Sequence, residues 1–302
     1  MSTNSVAVIK TQLGDRKPDY SGKVRDIYDL EKELLIVATD RISAFDHILP
    51  NPIPGRGKIL TSLSIFWFQK TGHIVPNHIV AHKVSDFPQW LHQFKDQLEG
   101  RTMLVKKVKR LDAECVVRGY LAGSGWKEYK QSGKICGISL PTGLAESQKL
   151  PGPIFTPATK APDGEHDLNI SFEQLIDIVG PVTSLKLREI SLKLYNFAHD
   201  YAIKRGIIIA DTKFEFGRQD DGQIILIDEA LTPDSSRFWD KSTYTIGKGQ
   251  DSLDKQFIRD YLLSVGWHGE GAPPALPENI IQQTIERYQM AARGLIGEEV
   301  KI

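Results

Sequence analysis

Apolar positions along the chain follow several patterns, each predicting a different element. Leu34–Ala38 (LLIVA) is a short continuous apolar run of the buried-strand kind, and Met103–Val108 reads as another strand. Thr61–Lys70 has apolar residues on several sides and predicts a buried helix. Leu187, Ile190, Leu194, Phe197, Ala198 and Tyr201 recur at i, i+3/i+4, an amphipathic helix for which Gly206 is a natural stop. Ile207–Ala210 follows as a buried strand, and Glu278–Leu295 reads as a further helix after the break GEGAPPALPEN. The polar stretch before Ser21 predicts a frayed start. Gly133–Gly180, rich in Gly and Pro, predicts a long functional or flexible loop. Strands alternating with helices predict a mixed α+β or α/β protein of two lobes. The boundaries fall at 1–110 for a β-rich lobe, 111–265 for a second lobe and 266–302 for a C-terminal helical extension.

A chain of 302 residues supports this, being long for one compact domain. The 38 Lys+Arg balance the 38 Asp+Glu, so no basic excess points to nucleic acid. Lys106, Lys107, Lys109 and Arg110 form a basic patch with two readings, a solvated strand edge or a substrate-facing segment. Two cysteines, Cys115 and Cys136, make no disulfide framework or CxxC metal spacing. The opening residues lack the basic and apolar regions of a secretory signal. No apolar run approaches the ~18–20 residues that cross a bilayer. Without a secretory signal, the sequon Asn169-Ile170-Ser171 reads as chance. The expected setting is a reducing cytoplasm, with no membrane and no obligate protein partner.

Candidate chemistry concentrates in IIIADTKFEFGRQDDGQIILIDEALTPDSSRFW. In an extended strand Asp211, Lys213 and Glu215 share one face, and Thr212, Phe214 and Phe216 the other. Asp221-Gly222 signals a two-residue hairpin turn. That turn sets Asp220 opposite Gln223 and Glu215 opposite Asp228. Opposed carboxylates lie ~4.5–5.5 Å apart at Cβ and call for a cation between them. Lys213 offsets part of the charge, and a hard divalent ion such as Mg²⁺ suits the rest. The alternative is a surface hairpin with solvated acids; the long apolar runs that these acids terminate favour the metal. A one-residue slip would turn Asp228 to the other face.

A nucleotide partner for such an ion would need a phosphate loop. Neither GxxxxGK[ST] nor GxGxxG occurs, because Gly57-Lys58 runs on to Ile59 and Gly123-Ser124-Gly125 to Trp126. Ser21-Gly22-Lys23-Val24-Arg25-Asp26-Ile27-Tyr28 offers a glycine for close backbone approach, with Lys23 and Arg25 on one face when extended. It reads either as a phosphate cover or as a solvated basic edge.

SGKVRDIYDL, ATDRISAFDHILPNPIPGRG, VVRGYLAGSGWKEY, IFTPATKAPDGEHD, IIIADTKFEFG and IDEALTPDSSRFW occur in order. Together, from about Gly22 to Tyr261, they resemble phosphoribosylaminoimidazole-succinocarboxamide (SAICAR) synthetases in their longer, yeast-like form. The resemblance implies a small kinase-like β-rich lobe and an ATP-grasp-like lobe with nucleotide between them. It implies ATP and Mg²⁺ as cofactors, with L-aspartate and carboxylated aminoimidazole ribonucleotide (CAIR) as substrates. SAICAR, ADP and phosphate are the products, formed through an acyl phosphate. It assigns Gly22, Lys23 and Arg25 to the ATP phosphates, and Lys106, Val108, Arg110 and Glu114 to the adenine hinge and its neighbourhood. Glu215 and Asp228 match the Mg²⁺ ligands, and Lys213 lies near the reacting phosphate. Arg118, Ser124 and Arg237 match the clamp on the CAIR 5′-phosphate, with Ser43, Asp211 and Asp234 as further candidates. Lys160, Glu165, His166 and Asp167 fall in a matching loop without assigned roles. Two rivals use the same residues, a small-molecule kinase and a non-catalytic nucleotide sensor. Aspartate-dependent release of ADP separates the first, and absence of turnover the second.

Overall fold

A computed structural model describes residues 6–160 and 167–302; Glu165 and His166 lie outside them. The fold mixes helices with antiparallel sheets, as the pattern predicts. The chain divides into two compact units, Met1–Gln69 with His78–Lys107 and Asp254–Ile302, and Lys70–Asn77 with Val108–Leu253. Residues 254–302 thus join the N-terminal unit, whereas the sequence boundaries divide them between a second lobe and an extension. The cause is shared burial. Ile258, Leu262, Ile280 and Ile281 pack in one cluster with Ile42, Leu49 and Ile53, so the apolar faces of both late helices need those residues for their core.

The first unit holds a five-stranded antiparallel sheet in the order Tyr20–Ser21, Arg25–Asp29, Glu33–Ala38, Thr102–Lys106, Ile79–Ala81. Leu35, Val37 and Leu104 are buried on it with Leu13, Leu91 and Leu98. The expected buried helix extends over Arg56–Thr71, with Trp67 and Phe68 fully buried. The start of the chain is not frayed from Val8 onward. Val8 N–H donates to Asp40 Oδ2 at 2.9 Å and Thr11 N–H to Asp26 Oδ2 at 2.8 Å, while Leu13 enters the core. Carboxylates deeper in the sequence supply acceptors that its polar text does not reveal.

The second unit is built on Ile207–Arg218, a twelve-residue strand. Ala113–Tyr120, Ile224–Ile227, Ser236–Asp240 and Lys109–Arg110 all pair with it antiparallel. Helix Pro181–Ile203 starts with its proline at the first turn, where a missing N–H costs nothing. The stretch read as one loop, Gly133–Gly180, is not one. It contains a short hairpin (Lys134–Ile135 and Ile138–Ser139), the strand Lys149–Phe155 on Ala113–Tyr120, and the helix Phe172–Val179. That helix has a capping box, Ser171 with Gln174, a signal present in the sequence but masked by the surrounding glycines and prolines. Helices Gly123–Ser132 and Gln256–Ser264 are likewise additional. Among the described residues no helix is long and apolar enough to cross a membrane, and Cys115 and Cys136 are free and buried.

Candidate functional site

Three groups of predicted residues find partners, and the central strand of the second unit carries two of them. Its register sets Asp211 opposite Arg118 on one side and Arg237 on the other. One carboxylate oxygen, Asp211 Oδ2, accepts from Arg118 Nη1 at 3.1 Å and Arg237 Nη1 at 2.6 Å. Arg118 also donates to Ser124 Oγ at 3.0 Å and Thr156 Oγ1 at 3.1 Å. Ser124 lies in the first turn of helix Gly123–Ser132. A Cβ on Gly123 would sit 2.2 Å from Arg237 Nη2, so glycine there admits the guanidinium. Burial lowers the Arg118 pKa and Asp211 opposes it.

Two residues along the same face, Lys213 Nζ lies 2.5 Å from Glu114 Oε1 and 3.3 Å from Glu215 Oε1. Lys160 Nζ completes the cluster at 2.6 Å from Glu215 and 3.2 Å from Glu114. Burial acts to lower the Lys213 pKa, but Glu215, Glu114 and Asp228 outweigh it and hold the ammonium well above the ordinary lysine value. Burial pushes Glu114 up against the pull of Lys213 and Lys160, and Asp167 adds to the rise.

The hairpin register differs from expectation by one residue. Glu215 pairs with Ile227, not Asp228, because the turn holds three residues, Asp220, Asp221 and Gly222. Gln219 N–H donates to Gln223 O at 2.9 Å across it, and Gly222 takes φ 84°, the left-handed residue of a three-residue loop. Asp228 follows the strand with φ 67°, so strand alternation no longer fixes its direction. It nonetheless counts among the charges raising Lys213. Mg²⁺ takes oxygen ligands, often one or two carboxylates with phosphates and water. Glu215 and Asp228 are donors of that type, and the clustered acids fit such an ion. Among the described residues no three His, Cys, Asp or Glu gather as a protein-only cage.

In the first unit Gly22–Arg25 forms a tight turn closed by Gly22 N–H to Arg25 O at 2.8 Å. Lys23 forms an ion pair with Asp46. Ser43 is buried and its hydroxyl accepts from Lys255 Nζ at 3.2 Å. Lys106 is exposed. In the second unit Arg110 pairs with Asp112 at 3.1 Å, Val108 packs where a Gly217 Cβ would be, and Asp234 N–H bonds Thr232 Oγ1 at 3.2 Å. Lys160 and Thr156 are the residues whose contacts sequence reasoning did not supply. Both lie in the turn-rich segment, and only its pairing with Ala113–Tyr120 brings them in.

Residues 19–274 match the sequence model of the SAICAR synthetase family. Phosphoribosylaminoimidazole-succinocarboxamide synthase of Desulfatibacillum aliphaticivorans is 55% identical over 296 residues, covering 98% of this chain and 99% of the relative. That of Thermodesulfovibrio yellowstonii is 58% identical over 282 residues, covering 93% and 96%. Among solved structures, SAICAR synthase from Saccharomyces cerevisiae complexed with SAICAR is 45% identical with a TM-score of 0.88, covering 97% of this chain and 99% of that one. A type-2 SAICAR synthetase in complex with ADP is 27% identical with a TM-score of 0.68, covering 94% and 99%. The chain therefore belongs to the SAICAR synthetase family, ATP-dependent ligases that join L-aspartate to CAIR in purine biosynthesis.

Proposed function

We propose that this chain makes SAICAR through an acyl phosphate, with substrate phosphate and reacting phosphoryl group held side by side on the strand Ile207–Arg218. The observation that carries this reading is the spacing on one face of that strand. Asp211, between two guanidiniums, and Lys213 with Glu215, among carboxylates and ammoniums, follow each other at intervals of two residues, about 7 Å per step. Arg118, Ser124 and Arg237 are assigned to the CAIR 5′-phosphate, since guanidinium forks match phosphate oxygens. Asp211 orients both arginines, and Ser43 and Asp234 are further substrate contacts. Gly22, Lys23 and Arg25 are assigned to the ATP phosphates, and Lys106, Val108, Arg110 and Glu114 to the rest of the nucleotide.

Glu215 and Asp228 would hold Mg²⁺, which when bound supplies charge neutralisation for transferring phosphate. Lys213, kept protonated by its carboxylates, contributes a fixed positive charge near the phosphoryl group. A CAIR carboxylate oxygen attacks the γ-phosphorus, an O–P bond forms, the bond to the β-phosphate oxygen breaks, and ADP leaves. The aspartate amine then attacks the acyl carbon, loses a proton, and the C–O bond breaks to release phosphate. The two buried free thiols fit a reducing compartment, and the cytoplasm is the proposed setting.

CAIR labelled with ¹⁸O in its carboxylate tests the route. One label should leave with each inorganic phosphate formed alongside SAICAR. Unlabelled phosphate would show that the carboxylate oxygen is not the phosphoryl acceptor. Label transfer dependent on aspartate also excludes kinase chemistry on a ribose hydroxyl.

A further inference from the structure

All four carbonyl oxygens of the Gly22–Arg25 turn are held by two residues of the segment Thr39–Arg41. Arg41 Nη2 donates to the Gly22 oxygen at 2.9 Å and the Arg25 oxygen at 3.1 Å, and its Nε to the Lys23 oxygen at 3.2 Å. The remaining oxygen, on Val24, accepts from Thr39 N–H at 3.0 Å and from Thr39 Oγ1 at 2.8 Å. Arg41 is anchored in turn by Asp26 Oδ1 at 2.9 Å and the Ile9 oxygen at 2.5 Å. Asp26 is fully buried and also accepts from Thr11 and Ser21. The Arg41 side chain is 14% exposed, so most of its surface is enclosed around these contacts.

The arrangement has an electrostatic consequence. Carbonyl oxygens are the negative ends of peptide dipoles, and a loop that receives a polyphosphate must turn them away from it. Arg41 is suited to that task, because its five N–H groups lie in one rigid plane and can serve several oxygens together. A lysine has three donors on one nitrogen and cannot span the same oxygens. We propose that Arg41 is a positioning residue for ATP: it sets the Gly22–Arg25 turn so that its carbonyls face away from the phosphates, leaving Lys23 and Arg25 to meet them. This rests on the assignment of that turn to the ATP phosphates.

The test compares Arg41→Lys, Lys23→Ala and Thr39→Val in the full chain. ADP with Mg²⁺ is the probe, measured by calorimetry alongside the KM for CAIR and amide hydrogen exchange. Arg41→Lys keeps a cation beside Asp26 while losing the planar fork. It should weaken ADP binding about tenfold or more and speed exchange over residues 22–26, leaving the CAIR KM within about twofold. Equal losses for ADP and CAIR would mean general unfolding and would overturn the proposal. Wild-type ADP affinity in Arg41→Lys beside a loss in Lys23→Ala overturns the role of Arg41 alone. Wild-type affinity in both overturns the phosphate assignment and the inference with it. Should Arg41→Lys not fold, Thr39→Val decides. It loses the hydroxyl bond to Val24 and the 3.4 Å bond that this hydroxyl accepts from Arg41 N–H, while the guanidinium stays, so weaker ADP binding with CAIR usage intact supports the proposal, and unchanged binding overturns it.

Discussion

Asp211 shows how one carboxylate sets up two cations. It is 4% exposed, and a single oxygen takes a hydrogen bond from each arginine. Asp211→Asn keeps the shape but strands the buried Arg118 charge. Breaking a buried pair costs about 3–5 kcal/mol, with the lower end expected here because Arg237 is partly exposed. Inorganic phosphate should recover more stability in Asp211→Asn than in wild type, since an anion can replace the missing charge between the guanidiniums. Urea unfolding with and without phosphate measures this, and an equal phosphate effect in both proteins would count against an anion site there. The alternation of Asp211, Lys213 and Glu215 was legible from residue order alone. Arg118 and Arg237 were reachable only through the family resemblance, because no spacing rule joins positions 118, 211 and 237 before strand order is known. Lys160 lies 55 residues from Glu215, and nothing local to it announces the contact.

Strand register depends on details smaller than the strands themselves. The reading of a two-residue turn at Asp221-Gly222 found the hairpin but missed its pairing by one, since loop length selects the turn and hence the register. A second irregularity lies where Ile207–Arg218 meets Ser236–Asp240. Ile209 pairs with Phe238 but Asp211 with Arg237, leaving Ala210 as the extra residue of a bulge. The Tyr195 hydroxyl donates to the Ile209 oxygen there at 2.7 Å. It reaches that oxygen past Gly119, whose absent Cβ would lie 1.9 Å from it. Gly119→Ala should therefore cost about 1–3 kcal/mol by overpacking, and Tyr195→Phe about 1 kcal/mol by losing one hydrogen bond. The double substitution should cost less than the sum, because removing the hydroxyl relieves the closest clash. Relief should be partial, as the Tyr195 ring carbons also lie within 3.0 Å of the added methyl. Strict additivity in a denaturation cycle would show that the two residues do not meet as described.

Chain-order boundaries failed for a reason that reaches across the entire sequence. Leu276 N–H donates to Asn51 Oδ1 over 225 residues, and the helices after Asp254 finish a core begun at Ile42. A contiguous reading cannot see a unit made of separated segments, although it identifies the helix that becomes part of it. Stability is likewise a property of the full chain, and one buried group gives it a defined acid response. His78 is 2% exposed, packs 5.4 Å from the Phe68 ring, and has an Nε2 without a hydrogen-bond partner among the described residues. Burial, aided by the Arg25 charge, lowers its pKa from 6.5 to about 3. The folded chain therefore resists the proton that the unfolded chain accepts near pH 6.5. Stability from the neutral imidazole is complete above that value and falls as pH drops toward 3. The loss should reach about 2 kcal/mol at pH 5, at 1.36 kcal/mol per pH unit. Other groups also titrate in this range, so the measurement is the difference between wild type and His78→Leu from pH 7 to 4.5. The variant has no imidazole at this position to protonate and should show a shallower acid slope by close to one proton. Parallel curves would mean that the His78 imidazole takes up its proton as readily in the fold as in the unfolded chain.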